Sequence, residues 1–266
     1  MRLQGEVVRL CFIGNSHLLC IKQALEGRRS PLVGRSFLAA GGQRLAGFSV
    51  RDGVLDAGIP DAQIVTSSGC GNICIDDHDA FIVVGNGFGV QRALKAFQKY
   101  RTLRYEQPKL SLVSSALFIE MIAYLLRATV ATRIVEQIRN ASDKPILVVP
   151  QPAPHTGIGR LPPAGDERQM TRYKEWKIMF ESEVAGFLSE AFNAGARKAV
   201  GASVGFIRQP QVTFDGYLTD ERFSAKSIGD ITPGAVVKRP HASDVNHMNI
   251  DYGALILDAI ELKLEV

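Results

Sequence analysis

The sequence predicts an α/β fold in which a parallel sheet is covered by helices on both faces, and three observations predict it. Strand-like apolar runs recur along the chain: VVRLCFI (7–13), SFLAA (36–40), AFIVVG (80–85) and PILVVP (145–150). Segments with helical spacing of apolar residues lie between and after them. The runs are continuous rather than alternating, as strands buried on both sides require, so the arrangement is a three-layer α/β/α sandwich around a parallel sheet.

The elements follow in order. The first run ends in Gly14-Asn15-Ser16-His17, and LLCIKQALEG (18–27) continues with helical spacing and Gly27 as its stop. The second run leads into Gly41-Gly42. DAFIVVGNGFG (79–89) is a strand running into a glycine-rich turn that carries Asn86; Gly85, Gly87 and Gly89 permit positive φ or a close backbone approach there. Residues 111–140 have a serine start and dense apolar periodicity, which reads as one long helix or two consecutive ones. PQPAPHTGIGRLPPAG (150–165) is rich in Pro and Gly and reads as a loop at the sheet edge. Residues 167–195 read as a long amphipathic helix ending at Gly195, with Tyr173, Trp176 and Phe180 as packing residues. HASDVNHMNIDYGALILDAIELKLEV (241–266) is a polar loop followed by an apolar helix.

At 266 residues, 46% hydrophobic and 22% charged, the chain has enough apolar material for one elaborated domain over 1–266. The net charge of +4 comes from scattered Lys and Arg, densest at GRR (27–29) and RYKEWK (172–177). With neither a long basic stripe nor an aromatic platform, nucleic acid is not an expected partner. The first apolar stretch is interrupted by Arg9 and by the Asn15-Ser16-His17 cluster, and no small-residue cleavage site follows it. It therefore reads as neither a signal peptide nor a membrane span, and a cytoplasmic location is expected. Cys11, Cys20, Cys70 and Cys74 do not form a disulfide-framework pattern, and the Cys70 to Cys74 spacing lacks a second ligand pair. They are expected to be reduced and mostly packing residues, with no metal bound.

Ser16 stands beyond the carboxyl end of the first strand, where open α/β sheets bind ligands. A hydroxyl at that point suits a helix N-cap, or a nucleophile, or both. A nucleophile needs a base, and the base needs an acceptor on its far nitrogen to fix its tautomer. Asp244 and His247, three residues apart in one polar loop, supply both functions. Asn86 carries an amide that can donate to a developing oxyanion. The glycines around it do not have GxGxxG spacing, and no Lys-Ser/Thr pair follows, so a phosphate loop is a weaker reading.

Taken in this order, the blocks resemble those of the SGNH (GDSL-like) hydrolase superfamily. Ile13-Gly14-Asn15-Ser16 is similar to the family's strand and Gly-Asp-Ser, and Asp244-Val245-Asn246-His247-Met248-Asn249 with Tyr252-Gly253 to its Asp-x-x-His block. Asn15 stands where the family usually has Asp, and no Asp follows Asn86. The resemblance implies a flavodoxin-like order for the central sheet, with Ser16 as nucleophile, His247 as base and Asp244 as its orienter. It implies an oxyanion hole of the Ser16 backbone N–H, a glycine N–H at Gly41 or Gly42, and the Asn86 amide. The activity implied is a serine esterase acting on a short-chain acyl ester, such as an O-acetyl group, of a small molecule or carbohydrate, with no cofactor. Asn15, His17 and His155 are secondary candidates for substrate contact; His17, as the neighbour of Ser16 on the opening turn of a helix, is expected to point elsewhere than a base must. Two alternatives use the same residues: a domain that binds a ligand or partner without turnover, and an O-acyltransferase whose acyl-enzyme is intercepted by an alcohol.

Overall fold

The computed structural model describes residues 8–28, 35–40, 44–59, 72–104, 109–160, 166–180, 182–225 and 244–265. Strand β1 (Leu10–Gly14) is followed by β2 (Arg35–Ala39), then by β3 (Ser49–Arg51), β4 (Val54–Asp56) and β5 (Asn72–Cys74), which form a small antiparallel sheet. The long β6 (Ala80–Gly89) precedes the short pair β7 (Tyr100–Arg101) and β8 (Ser111–Leu112). After these come β9 (Ile146–Gln151), β10 (Gly205–Phe206) and the antiparallel pair β11 (Phe214–Asp215) and β12 (Leu218–Thr219). The helices are α1 (Leu18–Glu26), α2 (Gln91–Phe97), α3 (Ser115–Arg127), α4 (Val130–Ala141), α5 (Glu167–Trp176), α6 (Ser182–Val200) and α7 (Ile250–Leu264).

The main sheet has the order β2-β1-β6-β9-β10, and every pairing in it is parallel. Helices flank it. Phe12, Ile82, Val84 and Leu147 join α1 and α7 in one apolar cluster, while Ile13, Phe81, Val83 and Val148 join α3, α4 and α6 in the other. Alternate residues of one strand thus enter opposite cores, which is why β1 and most of β9 are buried throughout and lack a polar face. The winding reverses between β1 and β6, the neighbours at the centre of the sheet. In such sheets the crevice beyond the carboxyl ends of those two strands is where ligands enter.

Several expectations change in detail. Of the two forms expected for residues 111–140, the two consecutive helices are found, as α3 and α4 after the short β8, meeting at 72°. The break is at Thr129, whose hydroxyl donates to the Leu126 carbonyl and accepts from the Thr132 N–H, capping α4. Residues 167–195 are not one helix: α5 ends at Trp176, a 3-10 turn spans Lys177–Phe180, and α6 runs on to Val200. Gly195 lies inside α6 and does not stop it; a Cβ there would stand 2.8 Å from Ile122 Cγ2, so this glycine serves the close approach of α3 and α6. The sheet of β3, β4 and β5 was not foreseen, because three-residue strands carry too little periodicity to read. Cys11 and Cys20 are buried as expected of packing residues, Cys74 is exposed, and Cys70 lies outside the described residues. Among the described residues no single helix is long and apolar enough to cross a membrane.

Candidate active site

The turn after β1 sets the first side chain. The carbonyl of Asn15 accepts from Leu18 N–H (2.9 Å) and that of Ser16 from Leu19 N–H (3.2 Å), so backbone groups already serve the start of α1. The cap position falls on His17, which makes no side-chain cap bond. The expected capping role of Ser16 is therefore corrected: its hydroxyl is free of the helix and lies 2.8 Å from His247 Nε2. Asn15 is buried, and its Oδ1 accepts from the His17 N–H (3.3 Å), holding the turn closed from inside.

The second group comes from the loop ahead of α7. Asp244 Oδ2 lies 2.7 Å from His247 Nδ1, while its Oδ1 accepts from the backbone N–H groups of Asn246 and His247, both at 3.2 Å. Burial alone raises the Asp244 pKa, but the hydrogen bond and charge of His247, with the two backbone donors, outweigh it and hold the carboxyl at about 2. An ionised carboxylate accepts only, so His247 Nδ1 carries the donated proton and Nε2 is left to accept from the Ser16 hydroxyl. Asn249 then caps α7, accepting from Asp251 N–H (3.1 Å) and Tyr252 N–H (3.2 Å), and its Nδ2 donates to the Arg222 carbonyl.

His155 has a different place from the one expected. It is buried; its Nδ1 accepts from Gly157 N–H (3.1 Å), its Nε2 lies 3.3 Å from the Asp244 carbonyl, and its backbone N–H donates to the Val245 carbonyl. With Nδ1 accepting, Nε2 is the donor, and both ring nitrogens are spent on backbone. His155 ties the Asp244 loop to the end of β9 and is corrected from a substrate contact to a tether.

At the end of β6 the register against β9 shifts between Val84 and Gly89. Gly85, Asn86 and Gly87 have φ of 70°, 52° and 84°, a left-handed bulge that glycine and asparagine tolerate best. A Cβ on Gly85 would press on the Asn15 carboxamide and the His17 ring, so the bulge abuts the Ser16 turn. Asn86 is 1% exposed, and neither its Nδ2 nor its Oδ1 has a hydrogen-bond partner. Gly41 and Gly42 lie outside the described residues.

His17 lies against the His247 ring. Its ring stacks on that of His247, centroids 5.3 Å apart and planes 24° from parallel, and its Nδ1 is buried without a partner. Burial first, and the neighbouring His247 second, push its pKa down to about 3, so its ring is uncharged at neutral pH. Beside the His17 ring opens a cleft of about 210 Å³ lined by His17, Gly89, Gln151, Glu175, Trp176 and Asn246 among others, with neither Ser16 nor His247 in its lining. Gln151, Glu175, Trp176 and Asn246 were not read as site residues. Gln151 had a usable signal, since it closes a parallel strand on the same rim; Trp176 had none, because its spacing is that of a packing residue. A second cavity of about 220 Å³ shares Val90 and Gln151 with this cleft.

The structure thus brings Ser16, His247 and Asp244 into one hydrogen-bonded chain from residues 231 positions apart. That chain is suited to deprotonating the hydroxyl and returning the proton to a leaving group. The chain matches no family model, and no curated protein is significantly similar to it.

Proposed function

We propose that the protein is a serine esterase of the SGNH (GDSL-like) hydrolase superfamily, with a three-layer, flavodoxin-like α/β/α sandwich as its scaffold. The observation that carries this reading is the unbroken relay from Ser16 Oγ through His247 to Asp244 at the switch point of a parallel sheet.

On this reading Ser16 Oγ attacks the ester carbonyl as His247 Nε2 takes its proton. Asp244 holds the imidazole tautomer and stabilises the cation. The tetrahedral intermediate collapses with the His247 proton delivered to the leaving alcohol, giving an acyl-Ser16. Water, deprotonated by the same nitrogen, attacks the acyl group, and Ser16 leaves with the proton. Asn86 is the side-chain donor proposed for the oxyanion. The acyl group proposed is a short one such as acetyl, by the resemblance to the superfamily.

The test is p-nitrophenyl acetate hydrolysis and fluorophosphonate labelling of the wild type, Ser16→Ala and His247→Ala, each checked for folding. Turnover and labelling in the wild type, with both reduced about 1,000-fold or more in each variant, are expected. A folded wild type that neither turns over ester nor labels at Ser16 would return the protein to the class of non-catalytic binding domains.

A further inference from the structure

We infer that His17 is a positioning residue for His247: its ring face fixes the plane of the His247 imidazole and stabilises that imidazole when it is protonated. Two hydrogen bonds, to Asp244 and to Ser16, hold the two nitrogens of His247. They leave the ring free to tilt about the line joining those nitrogens. The stacked His17 ring, 5.3 Å away, removes that freedom.

His17 is itself held from three sides. Its N–H is bonded to Asn15 Oδ1, its ring interacts with the backbone of Asn246, and its Cδ2 edge lies 3.2 Å from where a Cβ on residue 85 would stand. The ring therefore occupies a slot that exists because residue 85 is glycine. Its buried Nδ1 has no partner, so that nitrogen is not what holds the ring there; the ring face is what the slot presents to His247. An aromatic face within about 6 Å of a cation attracts it. A ring kept neutral by burial adds that attraction without adding a like charge.

The titratable and charged groups on the elements around His247 are Asp244 on its own loop, Ser16 and His17 on the turn after β1, Cys20 on α1, Asp251 and Tyr252 on α7, and His155 after β9. Arg222 stands in the segment bonded to the α7 cap, and Glu175 on α5 across the cleft. None of these changes in the comparison that follows except His17. The inference takes from the proposed function only that His247 is the base, and the stack is testable without turnover.

The experiment is an NMR titration of the His247 ring C–H signals in the whole protein, comparing wild type with His17→Leu and His17→Phe. Leu fills the slot without an aromatic face; Phe fills it with one. The expected result is a His247 pKa lowered by about half to one pH unit in the Leu variant and kept at the wild-type value in the Phe variant. A Leu variant that titrates like wild type, or one shifted upward by water entering beside the ring, overturns the inference, as does a Phe variant that shifts like Leu. Should either variant not fold, His17→Met and His17→Tyr make the same comparison. The acid limb of kcat/KM for p-nitrophenyl acetate should move with the NMR value. The NMR shift without any wild-type turnover would count against the esterase and leave the stack standing; turnover without the shift would count against the stack alone.

Discussion

Gly253 in α7 lies directly against the carbonyl of Cys20 in α1, so closely that a Cβ at residue 253 would collide with it. This contact bears on the site because each helix begins just past one partner of the Ser16–His247 hydrogen bond. Helix α1 starts two residues after Ser16, and α7 starts three residues after His247. The distance between the helices at this crossing is therefore coupled to the 2.8 Å between Ser16 Oγ and His247 Nε2.

Gly253→Ala is accordingly expected to destabilise the protein by about 1 to 3 kcal/mol, through overpacking against backbone that has no rotamer to yield. It should also slow fluorophosphonate labelling of Ser16 in the fraction that stays folded. Gly195→Ala is the control. It overpacks the α3 and α6 crossing, where the nearest group is the Ile122 side chain, and should lower stability while leaving the labelling rate of folded protein unchanged. Urea denaturation and labelling kinetics on the two variants separate the effects.

The legible part of this protein is the part built on periodicity and on short polar clusters. Four of the five main-sheet strands, the start and stop of α1, and the Asp244–His247 pair stand out in the sequence because each is local, while Ser16 joins that pair across 231 positions and was linked to it only by the order of the blocks. What stayed hidden depends on contacts between distant segments. Nothing near His155 says that its ring reaches a carbonyl 89 residues away, and the neighbours of Gly195 make it look like a helix stop when it is a helix crossing. Helical geometry argues against His17 as the base but says nothing of its stack on His247, which depends on the room that Gly85 on another strand leaves for its ring.

Asp244 makes stability depend on acid. Its folded pKa of about 2 lies below the ordinary carboxylate value of about 3.9, so the native state binds fewer protons than the unfolded chain in that interval. The stabilisation is complete above about pH 4 and is lost as the pH falls toward 2. Asp244→Asn should cost on the order of 2 kcal/mol near neutrality, and the gap from wild type should close as urea denaturation is repeated at successively lower pH. A gap that persists unchanged near pH 2 would mean the carboxylate charge is not its source.

His17 acts over a higher window. Burial depresses its folded pKa from the ordinary value of about 6.5 to about 3, so below 6.5 the unfolded chain takes up a proton that the native state refuses. Stability is thus full above about pH 6.5 and declines as the pH drops toward 3. His17→Phe cannot be protonated and should be the more acid-resistant protein, gaining at least about 1 kcal/mol over wild type by about pH 5 relative to their difference at pH 7. Parallel urea midpoints for the two proteins would show whether the curves diverge in that window or track each other.

At Asn86 the proposed oxyanion role and a packing role predict opposite outcomes. Its amide is buried to 1% exposure and both of its polar atoms lack a partner, which costs the folded state roughly 1 to 3 kcal/mol of unreturned desolvation. Its backbone sits at φ 52°, so alanine would add strain and confuse the comparison, whereas glycine takes that conformation freely. In Asn86→Gly the relieved amide offsets the cavity left behind, and stability is expected to stay within about 1 kcal/mol of wild type. If the amide donates to the oxyanion, kcat for p-nitrophenyl acetate should fall about 100- to 1,000-fold in this stably folded variant. A packing role alone predicts the reverse pattern, a loss of stability with kcat preserved, and thermal melts run beside the kinetics distinguish the two.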